Sequence, residues 1–256
     1  MQSALEKIKS IPGSCILERE LSSSLISNVY LGALNDVKAV IRLDFSVASK
    51  LAIDRQHELN VLEDISYLDL APKVLYSDIA AGILIWKYID GTQPGLTNKQ
   101  YTNNSLYHLG SRLHALHSHP ISNNFIDIFS NSMDLYQSLL VNSSQKILFN
   151  KASNLYNELL HDGINKVLSH NDLHSANILW NQKYYFLDWE YSGVNHPCFD
   201  IASLVKSFNL NKNQINEISN GYKSNSEIFD INTLNKWIEF IDYLEEIWKI
   251  SVAKIS

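Results

Sequence analysis

The spacing of apolar residues changes character once along the chain, and that change limits the fold more than any other feature. Up to about residue 90, short β-branched runs are broken by turn formers; beyond it, leucines recur at helical spacing. Leu34-Asn35-Asp36-Val37 lies between two apolar runs and reads as a hairpin turn, with Lys38 to Leu43 as its second strand. Ile53, Leu59, Leu62 and Ile65 predict a helix over 53–65. Lys73 to Tyr76 and Gly82 to Ile89 predict two more strands, closed by Asp90-Gly91. Leu106, Leu109, Leu113 and Leu116 then form the stripe of an amphipathic helix, and Leu234 to Ile250 carries another in Trp237, Ile241, Leu244 and Trp248. Val167 to Leu187 predicts a strand-loop-strand among the helices, and the polar stretch His117 to Asn124 a flexible connection. The expected class is α+β: a small antiparallel-sheet lobe over residues 1–88 and a larger, mainly helical lobe over 89–256.

With 256 residues, 45% of them hydrophobic, the chain can fill one large core or two joined ones. A net charge of −6 and the absence of any Lys/Arg-rich run argue against a nucleic-acid partner. The longest apolar stretches, Gly82 to Trp86 and Val194 to Leu204, fall short of the roughly 20 residues of a spanning helix, so no membrane association is expected. Met1 to Pro12 spaces Glu6, Lys7 and Lys9 helically and lacks the apolar core of a secretory signal, which predicts a cytoplasmic protein. Cys15 and Cys198 stand far apart without a CxxC pattern and read as reduced thiols.

One segment carries chemistry. His170-Asn171-Asp172-Leu173-His174-Ser175-Ala176-Asn177 is followed by the apolar Ile178-Leu179-Trp180 and then by Tyr185-Phe186-Leu187-Asp188-Trp189-Glu190. The pattern resembles the kinase catalytic loop, H-x-D-L-x-x-x-N, with a strand and a second aspartate downstream. Phosphoryl transfer has a use for each position. A carboxylate orients the attacking hydroxyl and accepts its proton, while an amide oxygen and a second carboxylate hold magnesium on the phosphates. Asp172 takes the first role, and Asn177 with Asp188 the second; ATP and Mg2+ are the cofactors implied. The plain alternative is a loop whose polar residues only cap turns.

The run Asp188-Trp189-Glu190-Tyr191-Ser192-Gly193, continued by Phe199-Asp200-Ile201-Ala202, is similar to the choline kinase and aminoglycoside phosphotransferase superfamily. Bacterial thiamine kinases and choline kinases resemble it most. That resemblance implies a bilobal protein-kinase-like fold. It also implies that Glu190 joins Asp188 near the metal and that His170 braces the backbone beside it. Asp200 is placed to cap the first turn of a helix, and the resemblance adds a bracing role toward the catalytic loop. His174 reads as a solvated loop histidine.

Toward the N-terminus, Leu21 to Tyr30 falls where a nucleotide-covering loop belongs, with Ser27 and Asn28 as its nucleotide contacts. No glycine lies between Gly13 and Gly32, so Ser22 to Ser24 have to substitute hydroxyls for close backbone approach. Arg42 stands where a strand lysine is usual, and its planar fork suits phosphate oxygens. Glu58 is its natural ion-pair partner, and Arg55, one turn earlier, competes for either role. Trp86-Lys87-Tyr88-Ile89 joins the lobes, so Trp86 and Tyr88 are expected beside the nucleotide base.

No A-P-E tripeptide follows Asp188, which argues against a protein substrate and for a small molecule. The expected acceptor is a cationic alcohol, thiamine slightly ahead of choline or ethanolamine. The alternatives are an aminoglycoside phosphotransferase and a nucleotide-binding pseudokinase acting as sensor or scaffold. On the C-terminal helix, Glu239, Asp242 and Glu246 lie opposite the apolar stripe, with Tyr243 at the border; bordering the cleft, such rings and carboxylates suit a cation.

Overall fold

Asn35 and Asp36 both adopt positive φ, 47° and 64°, as a type I′ hairpin turn requires. They join β2 (Ser27–Leu34) to β3 (Val37–Asp44) in unbroken antiparallel register. A computed structural model describes residues 4–94, 103–223 and 226–255 of the chain. The helix expected near the N-terminus is α1 (Ala4–Lys9), Met1 to Ser3 lying outside the described residues. With β1 (Cys15–Ser23), β4 (Val74–Asp78) and β5 (Ile83–Lys87) the hairpin builds a five-stranded antiparallel sheet, ordered β1-β2-β3-β5-β4. The edge strand β1 is largely exposed, and its register against β2 shifts twice, between Leu17 and Arg19 and between Glu20 and Ser22.

Strand β3 sorts its side chains by alternation. Ala39, Ile41 and Leu43 pack with Leu34, Ile83 and Ile85 in the core on one side of the sheet. Val40, Arg42 and Asp44 therefore face the other side, toward α2 (Arg55–Asp64). Asp54 caps α2 by accepting from the backbone N–H groups of Gln56 and His57, which sets the helix start at Arg55.

The rest is helical, as the leucine stripe predicts: α3 (Asn103–His117), α4 (Ile128–Leu139), α5 (Ser143–Leu159), α6 (Pro197–Phe208), α7 (Lys212–Tyr222) and α8 (Ile231–Ile255). Asparagines start two of them, Asn142 on α5 and Asn211 on α7, each in a reciprocal capping box with Gln145 or Gln214. Phe129, Tyr156, Phe199, Trp237 and Phe240 interlock where α4, α5, α6 and α8 meet. Trp237 is fully buried there, and its truncation to alanine costs about 3–5 kcal/mol.

Between α5 and α6, β6 (Val167–Ser169) pairs with β9 (Gly193–Asn195), and β7 (Ile178–Asn181) with β8 (Lys183–Phe186). These two ribbons present the catalytic-type loop and the second aspartate.

Three expectations need correction. His117 does not begin a flexible connection: it ends α3, buried and hydrogen-bonded. Most of Leu21 to Tyr30 is strand, leaving only Ser24, Leu25 and Ile26 as a turn. Asp200 does not cap α6. His196 does, its ring accepting from the N–H of Cys198, while Pro197 opens the helix and leaves Asp200 inside the first turn.

Candidate active site

Two cavities open on either side of Glu190. The first, of about 300 Å³, lies between the sheet and the β7–β8 ribbon and is lined by Ser27, Arg42, Glu58, Trp86, Asn177, Asp188 and Glu190. The second, of about 390 Å³, lies between the catalytic-type loop and α8 and is lined by Asp172, Glu190, Tyr191 and Trp248, among others. Eight of the ten residues singled out from the sequence thus meet in one place.

The floor of the first cavity is an ion network. Glu58 accepts from both terminal nitrogens of Arg42, at 2.9 and 2.6 Å. Arg55 donates to Glu58 at 2.9 Å, to Asp44 at 2.9 Å and to Glu190 at 2.7 Å. Arg42 also lies 3.8 Å from Asp188. Arg55 therefore shares Glu58 with Arg42, and it ties α2 to the far side of the cleft through Glu190.

Burial alone would lower the Arg42 guanidinium, but Glu58 and Asp44 outweigh it and hold the group above its ordinary value. Burial would likewise raise Glu58, and Arg42 and Arg55 bring it below the usual carboxylate range. Glu190 is pushed up to about 8 by burial and by the charge of Asp188, against the pull of Arg55. Asp188 is raised as well, first by desolvation, although 46% of its side chain is open to the cleft and solvent there moderates the effect. Two guanidiniums face four carboxylates, Asp44, Glu58, Asp188 and Glu190. The surplus is negative, and the carboxylates that carry it are the two whose charged forms the site disfavours. Asp188 and Glu190 are hard oxygen donors of the kind a divalent cation takes.

The loop that carries Asp172 is fastened from beneath. Asp200, fully buried, accepts from the N–H of His170 and of Asn171, both at 2.8 Å. The His170 ring lies 2.9 Å from the carbonyl oxygen of Leu187, next to Asp188, and packs on Trp189. The bracing roles that the resemblance implied for both residues are what the hydrogen bonds describe. Asn171 and Asp188 adopt φ of 63° and 62°, backbone strain of order 1–3 kcal/mol at each. The side chain of Asn171 is held on both ends, donating to the Tyr191 carbonyl and accepting from Asn195.

Asn177 links the two cavities. Its amide nitrogen donates to the Asp172 carboxylate at 2.9 Å and to the Asp172 carbonyl at 3.0 Å, which leaves the amide oxygen as the acceptor beside Asp188. His174 is more than a solvated loop residue: its ring lies 3.6 Å from Asp172, whose hydrogen bond raises the imidazole above its ordinary value.

Two sequence assignments fall outside the cavity. Alternation along β2 turns Ser27 and Val29 inward and Asn28 outward, where it accepts from Ser23 Oγ and donates to the Tyr30 hydroxyl. Tyr88 does not line the cavity; its N–H is spent on the Lys38 carbonyl and its ring lies under the Lys38 ammonium. Sequence reasoning also missed the apolar slot of Val29, Leu62, Val74 and Leu84 around Trp86. The period-2 pattern of β2 was the available signal for Val29. The glycine-free turn closes on itself, Ser24 Oγ accepting from the N–H groups of Ile26 and Ser27.

A family model for the phosphotransferase enzyme family matches residues 19–230. The chain belongs to this family. Among its relatives, LicA of Haemophilus influenzae is 31% identical over 199 residues, which cover 72% of this chain and 71% of that protein. Human ethanolamine kinase 1 is 28% identical over 205 residues, covering 70% of this chain and 43% of that protein. The structure of choline kinase LicA from Streptococcus pneumoniae superposes with a TM-score of 0.77 at 20% identity, covering 97% of this chain and 89% of that one. The streptomycin–ATP–APH(2″)-IIa ternary complex superposes with a TM-score of 0.67 at 18% identity, covering 98% and 92%. Those two structural likenesses establish the bilobal kinase fold of this phosphotransferase.

At the second cavity, the phosphotransferase departs from the sequence expectation. Helix α8 does border a cavity, but through Leu244, Glu245, Trp248 and Lys249 rather than through Glu239, Asp242 and Glu246. Trp237 and Ile241 are buried as the stripe predicts, whereas Trp248 is half-buried at the cavity and donates from Nε1 to the Tyr191 hydroxyl at 3.1 Å. Glu245 is already paired with Lys206 at 2.5 Å.

Proposed function

We propose that this phosphotransferase is a cytoplasmic small-molecule kinase that moves the γ-phosphoryl group of ATP onto the hydroxyl of a choline-like cationic alcohol. One observation carries the reading: Asn177 ties the Asp172 carboxylate to the Asp188 side of the cleft. A base and an electrostatic clamp then act on opposite ends of one in-line transfer. The division into a nucleotide lobe, residues 1–88, and a catalytic and acceptor lobe, residues 89–256, belongs to the same reading.

In this account the base of the nucleotide enters the slot around Trp86, and the phosphates meet Arg42 and the serine hydroxyls of the β1–β2 turn. Asp188, the Asn177 amide oxygen and Glu190 would hold Mg2+, which neutralises charge on the phosphates. Asp172 orients the acceptor hydroxyl and takes its proton. In the second cavity the ring faces of Tyr191 and Trp248 receive the cationic end. Because the relatives include an ethanolamine kinase and the structural likenesses a choline kinase, choline and ethanolamine stand ahead of the thiamine that the sequence runs favoured. An aminoglycoside is the second reading, favoured by a further chamber beside Asp172 lined by Ser203, Lys206 and Glu245. Free Cys15 and Cys198 accord with a reducing compartment. Among the described residues no helix is long and apolar enough to cross a membrane.

The test is a panel of choline, ethanolamine, thiamine and aminoglycosides with ATP and magnesium, scored for ADP release. Turnover on choline or ethanolamine is expected. Failure on every alcohol would return the chain to the sensor or scaffold reading. A neutral isostere of the accepted alcohol, carbon replacing nitrogen, should bind at least about tenfold more weakly, roughly 1.4 kcal/mol.

A further inference from the structure

We propose that His117 and Tyr222 are positioning residues for the transfer step. The Asp200 carboxylate sets His117 as its Nε2–H tautomer, the Tyr222 hydroxyl holds the ring in that orientation through the bare Nδ1, and His117 in turn steadies Asp200 beneath the loop that carries Asp172. None of the motifs contains either residue, and 105 positions separate them.

The chain of contacts is short and buried. His117 Nε2 lies 3.1 Å from Asp200 Oδ2, and His117 Nδ1 lies 2.8 Å from the Tyr222 hydroxyl. Asp200 Oδ2 also accepts from the N–H of His170, and Oδ1 from the N–H of Asn171. An ionised carboxylate only accepts, so the proton between His117 and Asp200 belongs to Nε2. A neutral imidazole then presents a bare Nδ1, which accepts from the Tyr222 hydroxyl. Burial raises the Tyr222 phenol and keeps that hydroxyl protonated as donor. Burial alone would raise Asp200, but its interactions with His117 first, and with His170, together outweigh it and hold the carboxyl low.

With the opposite tautomer, the Nε2 lone pair would face the carboxylate and Asp200 would lose one of three donors. The two that remain hold Asn171 at its positive φ, immediately before Asp172. Freed from His117, the carboxylate can tilt, and the loop with it.

The helices are built for this approach. A Cβ added at Gly110 on α3 would collide with the carbonyl oxygen of Ile218 on α7. One added at Gly221 would collide with the carbonyl oxygen of Tyr107 on α3. Two bare backbones in mutual contact bring Tyr222, the next residue, within reach of His117.

The experiment has two arms, and only the kinetic one rests on the kinase reading. In long-range 1H–15N spectra of 15N-histidine-labelled protein without substrate, His117, assigned by its loss in His117→Gln, should show a proton on Nε2 and a bare Nδ1. In Tyr222→Phe the proton should stay on Nε2, while the Nδ1 resonance shifts as its hydrogen bond is lost. An imidazolium or an Nδ1–H tautomer in the unsubstituted protein overturns the proposal, whatever the acceptor panel shows. In kinetics, Tyr222→Phe should lower kcat about tenfold with the nucleotide KM changed less than roughly twofold. His117→Leu should lose at least as much. His117→Gln, whose amide can donate to Asp200 and accept from Tyr222, should stay within about threefold of the unsubstituted enzyme. A merely structural brace would lower the melting temperature and leave kcat of the folded enzyme intact. Should His117→Leu fail to fold, an unchanged kcat in Tyr222→Phe overturns the proposal by itself.

Discussion

The two cavities that share Glu190 solve recognition by different means. On the sheet side, a rigid ion network of two arginines and four carboxylates sets the field before anything binds. On the α8 side, Phe129, Tyr191 and Trp248 supply ring faces, and Glu190 and Glu245 already have counterions in Arg55 and Lys206. The contrast teaches where specificity can vary. The charge network couples so many groups that no member changes alone, whereas the ring-lined cavity can be reshaped one side chain at a time.

Breaking each side separately tests that contrast. The largest effect belongs to Asp172→Ala, which should lower turnover by roughly 10²–10⁴-fold with nucleotide binding nearly unchanged. Asp188→Ala should weaken magnesium-dependent nucleotide binding as well, and titration calorimetry with and without magnesium separates the two. If both variants kept near-normal turnover, the assigned roles would be wrong. Next comes Glu58→Ala. It leaves Arg42 and Arg55 buried and short of a carboxylate, a loss of about 3–5 kcal/mol in urea denaturation. A loss below about 1 kcal/mol would mean that the network is solvated rather than rigid.

Trp248→Leu sharpens the acceptor side. Removing a ring face and the hydrogen bond to Tyr191 should raise the choline KM about tenfold and leave the nucleotide KM alone. Equal weakening of both substrates would erase the distinction between the cavities. The smallest expectation is Glu239→Gln. Its carboxylate accepts from the Tyr243 hydroxyl on the exposed side of α8, so stability and choline KM should both hold, stability within about 0.5 kcal/mol.

How legible each part was in the sequence follows from how it is built. Asp172, Asn177 and Asp188 lie within seventeen residues, so their convergence on the cleft could be read directly from their spacing. Arg42 and Glu58 were readable because each sits at a fixed place on β3 or α2. Asn28 and Tyr88 were misplaced for a local reason. Alternation decides which face a strand residue presents, and the backbone of Tyr88 was already committed to Lys38. The cavity against α8 was least legible. It gathers residues from α4, the catalytic-type loop and α8, which meet only through tertiary packing. A helical-wheel projection of α8 gives its buried stripe correctly but cannot say that Trp248, at one end of that stripe, meets a cavity instead of the core.

The double register shift in β1 bears on self-association. An edge strand of nine residues offers a row of unpaired backbone groups to any passing chain. Here the two irregularities interrupt the regular spacing that a partner strand would need. Glu18-Arg19-Glu20 adds a charge barrier. A second copy pairing antiparallel about Arg19 would set arginine against arginine and Glu18 against Glu20 on both sides. The open flank of the sheet thereby discourages fibre growth by strand addition, a protection independent of anything that happens in the cleft.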